Sequence, residues 1–227
     1  SWDADETFVF EDAQPTVFEG YSALQGDAVV VGLAAAGEGT VSAIGSGQKG
    51  YVVCDKTPFY AEMGGQSGDI GEILKDGKCV AKVINTTKNG DGFYLHEVLC
   101  EDVIEKGVKV TLCVDKKNRL DISRNHSATH LLHKALKEVL GTHVAQAGSL
   151  VTCDRLRFDF SHFEAMTTEK IKETERLVNE AVLSMLPIET KELPIAEAKK
   201  LGAEAQFGEK YGDVVRVVSM GDYSVEF

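Results

Sequence analysis

His126 and His130 stand four residues apart in the stretch Asn125–Gly141, NHSATHLLHKALKEVLG. On a helix that spacing puts both imidazoles on one face, one turn apart. Two ring nitrogens so placed can serve as two ligands of a zinc ion. The competing reading is a pair of ordinary polar histidines on a half-exposed helix. His133 shares the helix without a role of its own. Ser127 follows His126, so the glutamate of a zinc-protease HExxH pair is missing and that chemistry is disfavoured. A second stretch, Thr57–Asp69 (TPFYAEMGGQSGD), carries Thr57, Tyr60 and Gln66 as directional hydrogen-bonding groups. Gly64, Gly65 and Gly68 there permit a close backbone approach to a ligand. The plainer reading is a loop with turn glycines. In a third stretch, His143–Phe160, Gln146 precedes Gly148-Ser149 and offers an amide to a cleft beside the histidine helix. Arg155 and Arg157 pair by default with Asp154 and Asp159 at the surface. In a fourth, Phe207–Tyr211, Glu209 and Lys210 read as a solvated turn.

These stretches need elements to hold them. Leu131, Leu132, Ala135, Leu136, Val139 and Leu140 give the histidine helix an apolar stripe. Asp121 or Ser123 is the expected cap, and Gly141 the expected stop. From Phe18 to Val114 the pattern is all β, with runs at Ala28–Leu33, Lys49–Cys54, Asp69–Leu74, Lys78–Thr86, Phe93–Val98 and Val108–Val114. Asp76-Gly77 and Asn89-Gly90 are hairpin signals, because both pairs tolerate positive φ. Short strands at this spacing predict a small closed barrel. After Asp115 the pattern turns to helices and longer strands. Leu156, Phe158 and Phe160 alternate with Arg157 and Asp159 as a half-buried strand does. Thr168–Leu186 reads as an amphipathic helix ended by Pro187, with Ile171, Leu177, Val178, Ala181, Val182 and Met185 on one stripe. Pro194–Leu201 reads as a short helix and Val214–Met220 as a strand. Thr7–Phe10 reads as a strand or short helix.

The 227 residues suffice for one large domain or two small ones. A net charge of −12 argues against a stand-alone nucleic-acid binder. No run is long enough to span a bilayer and no signal peptide opens the chain, so a cytoplasmic protein without membrane contact is expected. The five cysteines are scattered and form no CxxC pair, which predicts reduced thiols. Ser1-Trp2 reads as an abrupt start inside a longer protein.

The motifs together resemble one family, the editing region of alanyl-tRNA synthetase. TVFEGYSAL at Thr16–Leu24, TPFYAEMGGQSGDIG at Thr57–Gly71 and RNHSATHLLHKALKEVLGTHVAQAGSLV at Arg124–Val151 carry the resemblance. RLRFDFSHFEAM at Arg155–Met166 and FGEKYGDVVRVVSMGDYSVEF at Phe207–Phe227 complete it. It implies an α+β fold with a small β-barrel subdomain over residues 1–115. An α+β editing core would follow over 116–227, like the second additional domain of threonyl- and alanyl-tRNA synthetases. In that core helices pack on a mainly antiparallel sheet. The implied reaction is hydrolysis of the ester of mischarged Ser-tRNA(Ala) or Gly-tRNA(Ala), within a parent enzyme that ligates alanine to tRNA(Ala) using ATP. The implied partners are the tRNA(Ala) acceptor end, a serine or glycine moiety and the remaining domains of the synthetase.

By the same resemblance Gln146, Thr57, His126 and His130 form the catalytic set, with His126 and His130 also as zinc ligands. Thr57 would hydrogen-bond a serine hydroxyl, and Met63, Gly64, Gly65 and Gln66 would border the substrate. The family completes its zinc site with a Cys-x-x-x-His pair. This chain stops at Phe227, where that segment would begin, so two of four ligands are present. The expectation is an empty or weak zinc site and a weak or inactive fragment. Two other readings stay open: a free-standing trans-editing aminoacyl-tRNA deacylase, and a non-catalytic RNA-binding module.

Overall fold

The computed structural model describes residues 8–35, 37–203 and 212–226. The chain divides into two compact units, 1–121 and 122–227.

In the first unit β1 (Val17–Phe18) leads into the long β2 (Gln25–Ala35), which is followed by β3 (Gly39–Val41), β4 (Ala43–Ile44), β5 (Lys49–Cys54) and β6 (Lys56–Thr57). Then come β7 (Gly71–Lys75), β8 (Lys78–Lys88), β9 (Tyr94–Cys100), β10 (Ile104–Glu105) and β11 (Lys109–Val114). The main sheet runs β11-β7-β8-β9-β5-β2-β3, and β11 also pairs with β2. That last pairing closes six antiparallel strands into a barrel and leaves β3 as an appendage on β2. Closure removes the unpaired edges that an open sheet exposes. Alternation does the filling. Val110, Leu112 and Val114 of β11 turn inward, as do His96, Val98 and Cys100 of β9. Val30, Val52, Ile73 and Val83 complete a continuous core. Phe8 and Phe10 form no regular element; Phe10 is buried with Val53 and Phe93.

The two hairpin signals act differently. Asp76 takes φ 51° and Gly77 φ 78°, as a tight primed turn requires. Asn89 works through its side chain instead. Its Oδ1 accepts from the backbone N–H of Asp91 and of Phe93, and Gly92 supplies the positive φ.

Helix α1 (Lys116–Leu140) begins before either expected cap. Its cap is neither Asp121 nor Ser123, which lie inside it. Asp115 Oδ1 accepts from Asn118 N at 2.9 Å. Capping is decided by which side chain stands where the preceding strand ends, and β11 ends at Val114. Gly141 terminates the helix as expected, with φ 118°.

In the second unit β12 (Gln146–Val151) and β13 (Leu156–Phe160) form a hairpin. Helix α2 (Thr168–Leu183) follows, and Thr167 caps it. The helix stops short of Pro187: Ser184 is the C-cap and Met185 takes φ 47°. Ile171, Val182 and Met185 are exposed rather than part of a buried stripe. β14 (Ile188–Pro194), an element absent from the sequence reading, pairs with β15 (Val214–Met220), which pairs with β16 (Ser224–Glu226). Between β14 and β15 the short α3 (Ile195–Lys200) packs Ala198 against Val215 and Val217. Leu131 of α1, Ala181 of α2 and Met220 of β15 share one core cluster, so both long helices pack on this antiparallel sheet. All five cysteines are free. Among the described residues no helix is long and apolar enough to cross a membrane.

Candidate functional site

The predicted residues fall in both units, and each group is built by its own unit. In the barrel, Met63-Gly64-Gly65-Gln66 is a tight turn. Met63 N donates to Gln66 O and Gln66 N to Met63 O, at 3.3 and 3.0 Å. Gly64 and Gly65 take φ 59° and 81°. This backbone combination strains residues with a Cβ, which accounts for two consecutive glycines without any ligand. Met63 is 61% exposed at the tip. The loop is held from below: Glu62 N donates to Thr86 O, and Thr86 Oγ1 to Asp69 O.

Thr57 is fully buried. Its partner is His96, whose Nδ1 lies 2.7 Å from the Val52 carbonyl and must therefore be N–H. The His96 Nε2 is then an acceptor, and Thr57 Oγ1 donates to it at 2.7 Å. The same hydroxyl oxygen accepts from Phe59 N at 3.1 Å. In this arrangement the only proton of Thr57 is committed to His96. Burial lowers the His96 pKa to about 4, against the bond to Val52. The unfolded value is 6.5, so below it the unfolded chain takes up a proton that the folded barrel refuses. Stability from this group is intact above pH 6.5 and is lost as pH falls toward 4. About 2 kcal/mol should disappear between pH 6.5 and 5, at roughly 1.4 kcal/mol per unit. Urea unfolding at both pH values should show it, and His96→Gln should remove this group's share of the difference.

In the second unit α1 brings His126 and His130 together. Their rings stack at 5.1 Å between centroids, 22° from parallel. His130 is buried, and its Nδ1 is bound to Glu226 Oε2. His133 Nδ1 lies 3.3 Å from Glu226 Oε1, and its ring packs at 5.2 Å on Phe158. Burial opposes charge on Glu226, but the hydrogen bonds to His130 and His133 outweigh it and hold the carboxyl at about 2. His126 is pushed down to about 4, first by burial, then by His130 and Arg216, with Glu226 opposing. Near neutral pH His126 is uncharged and keeps a lone pair on its ring.

The β12–β13 hairpin is fastened to α1 through Asn125, whose Nδ2 donates to the carbonyls of Thr152 and Cys153 at 2.8 and 3.2 Å. Gln146 lies at the opposite end of that hairpin, buried and paired in register with Phe160. Arg157 does pair with Asp159, at 3.1 Å. Phe207–Tyr211, with Glu209 and Lys210, lies outside the described residues, as does Phe227.

The histidine pair suits a borderline metal ion: both donors are imidazoles, and His130 is oriented by a carboxylate. Among the described residues no group of three His, Cys, Asp or Glu side chains is placed to hold one ion. Glu226 and His96 were not found from sequence. Glu226 lies 96 positions from His130 and His96 lies 39 from Thr57, and no local pattern links residues so far apart.

The family model for tRNA synthetases class II (A) matches residues 2–118, half of the chain. This chain belongs to that family. The relatives it matches include alanine–tRNA ligases. The alanine–tRNA ligase of Acetivibrio thermocellus is 48% identical over all 227 residues, which cover 26% of that protein. That of Bacillus cytotoxicus is 50% identical over 211 residues, 92% of this chain and 24% of the relative. That of Bacillus subtilis is 48% identical over 212 residues, 93% of this chain and 24% of the relative. The chain thus spans about a quarter of the length of the curated relatives it matches. His126, His130 and Gln146 lie beyond the stretch matched by the family model but inside the full-length match to the Acetivibrio protein.

Proposed function

We propose that this synthetase-family chain is the editing region of an alanine–tRNA ligase and hydrolyses the ester linking serine or glycine to the 3′ end of tRNA(Ala). The parent would ligate alanine to tRNA(Ala) with ATP in the cytoplasm, using domains outside this chain. Such a parent needs a second site. An active site shaped for alanine rejects glycine only by a missing methyl, and a pocket of that kind discriminates weakly.

The observation that carries the reading is the His126–His130 pair, stacked on one helix and braced by Glu226, in a chain aligned along its whole length with an alanine–tRNA ligase. His126 and His130 would hold a zinc ion, with further ligands supplied from outside the described residues. Bound there, zinc would polarise the ester or a water, or anchor the terminal adenosine. The chain's own groups do the rest. Gln146 would offer its amide N–H to the carbonyl oxygen as negative charge develops on it. Within the barrel unit, the exposed Met63–Gln66 turn has two residues without side chains and permits close backbone approach to a ligand, while the Thr57 hydroxyl is taken by His96.

The test is serine release from Ser-tRNA(Ala), measured for this chain and for the full-length protein carrying it. Full-length protein should hydrolyse the ester. Gln146→Ala should lower the rate about 100- to 1000-fold, the range for losing one such donor, while alanine ligation stays intact. If full-length protein binds the tRNA and releases no serine, the reading fails and a non-catalytic RNA-binding module takes its place.

A further inference from the structure

Glu226, named above only as a brace, forms with His130 and His133 a tightly enclosed polar cluster among the described residues of the second unit. Glu226 is 5% exposed, His130 3% and His133 5%. One carboxylate oxygen meets His130 Nδ1 and the other meets His133 Nδ1, while Ser224 Oγ approaches Oε1 at 3.4 Å. An ionised carboxylate only accepts hydrogen bonds, so each Nδ1 it meets must carry a proton. In a neutral imidazole that leaves the lone pair on Nε2.

We propose that Glu226 is a positioning residue: it locks His130 in the Nδ1–H form and so turns Nε2 into an electron-pair donor toward a divalent cation. His133 is the second anchor of this clamp. A carboxylate held by one imidazole can swing about that bond. Held by two imidazoles from successive turns of α1, it fixes the His130 ring plane. Ser224 steadies the carboxylate from its own strand. The clamp fastens β16 to α1, which explains why a charged residue sits buried in so short a strand. The proposal rests on the reading of His126 and His130 as a metal-holding pair, but its first measurement needs no metal.

That measurement is ¹⁵N–¹H long-range correlation of the histidine rings in the 227-residue chain, which distinguishes the two tautomers directly. His130 and His133 should both carry the proton on Nδ1. Finding it on Nε2 of His130 overturns the proposal before any variant is made. In Glu226→Gln the amide presents one acceptor and one donor, so it cannot hold two Nδ1–H groups at once. At least one of the two rings should shift to the Nε2–H form. A merely structural contact would leave the tautomers where they were, and unchanged tautomers in the variant overturn the proposal.

The second measurement is titration with zinc, followed by the His130 Nε2 resonance, which registers even millimolar binding. Glu226→Gln should weaken zinc about 10- to 100-fold, the range for removing an outer carboxylate from a ligating histidine. If the tautomer shifts and zinc affinity does not, the clamp has no bearing on the cation and the proposal falls. If the tautomers behave as expected and the wild-type chain and the full-length protein both ignore zinc, the metal-holding reading fails while the tautomer lock stands.

Discussion

Arg119→Ala should destabilise the barrel unit by about 3–5 kcal/mol, the cost of stripping a buried charge of its partner. Asp69 is 1% exposed. The Arg119 Nε lies 2.9 and 3.0 Å from its two oxygens, and Nη2 reaches Oδ2 as well. The same guanidinium donates to the Gly20 carbonyl at 3.0 Å and to the Pro58 carbonyl at 2.8 Å. One side chain from the first turns of α1 thus ties together the chain before β2, the start of the Thr57–Asp69 stretch and its end. Arg is suited to this because its planar fork satisfies several acceptors at once. Urea unfolding reads the loss. A second variant separates the stranded charge from lost packing. Asp69→Asn in the Arg119→Ala background should recover part of the stability, because the amide oxygen can still accept from Tyr60 N, now bound at 2.7 Å to Asp69 Oδ2. If the double variant is as unstable as the sum of the two single changes, the buried charge is not what Arg119 neutralises.

Gly68→Ala should cost about 1–3 kcal/mol and displace the glycine-rich loop, as overpacking of a filled site does. A Cβ at Gly68 would overlap the Thr86 carbonyl oxygen and stand 2.9 Å from Thr86 N. Both are backbone atoms of β8 and cannot swing aside. Gly64→Ala is the informative contrast. Its positive φ of 59° costs a residue with a Cβ about 1 kcal/mol, and the loop should stay in place. Limited proteolysis across residues 60–69 should therefore speed up in Gly68→Ala and stay near wild type in Gly64→Ala. Equal cleavage in both would mean that the close approach to β8 does not anchor the loop.

Much of this architecture is written locally. The barrel strands follow from alternation and turn chemistry, and each of the six runs read from sequence corresponds to a barrel strand. The histidine pair is legible because i, i+4 on a helix is a local geometric fact. Two local readings failed where a competing local force was stronger. The cap of α1 went to Asp115 because β11 ends just before it. The α2 helix ended at Ser184, ahead of the proline expected to break it. β14 was illegible because nearly all of it is exposed. It carries no buried face to impose a period, and its pairing with β15 alone makes it a strand.

What tertiary structure decided is which polar groups meet. The sequence alone determined that a helix presents two histidines in step and that a glycine-rich turn stands between two strands. It could not determine that Thr57 spends its proton on His96, that Arg119 closes three segments on Asp69, or that Glu226 clamps His130 and His133. Hydrophobic periodicity repeats along a chain and announces itself. A buried polar contact needs only one donor and one acceptor from any two positions, so only the packing that buries both atoms selects the pair.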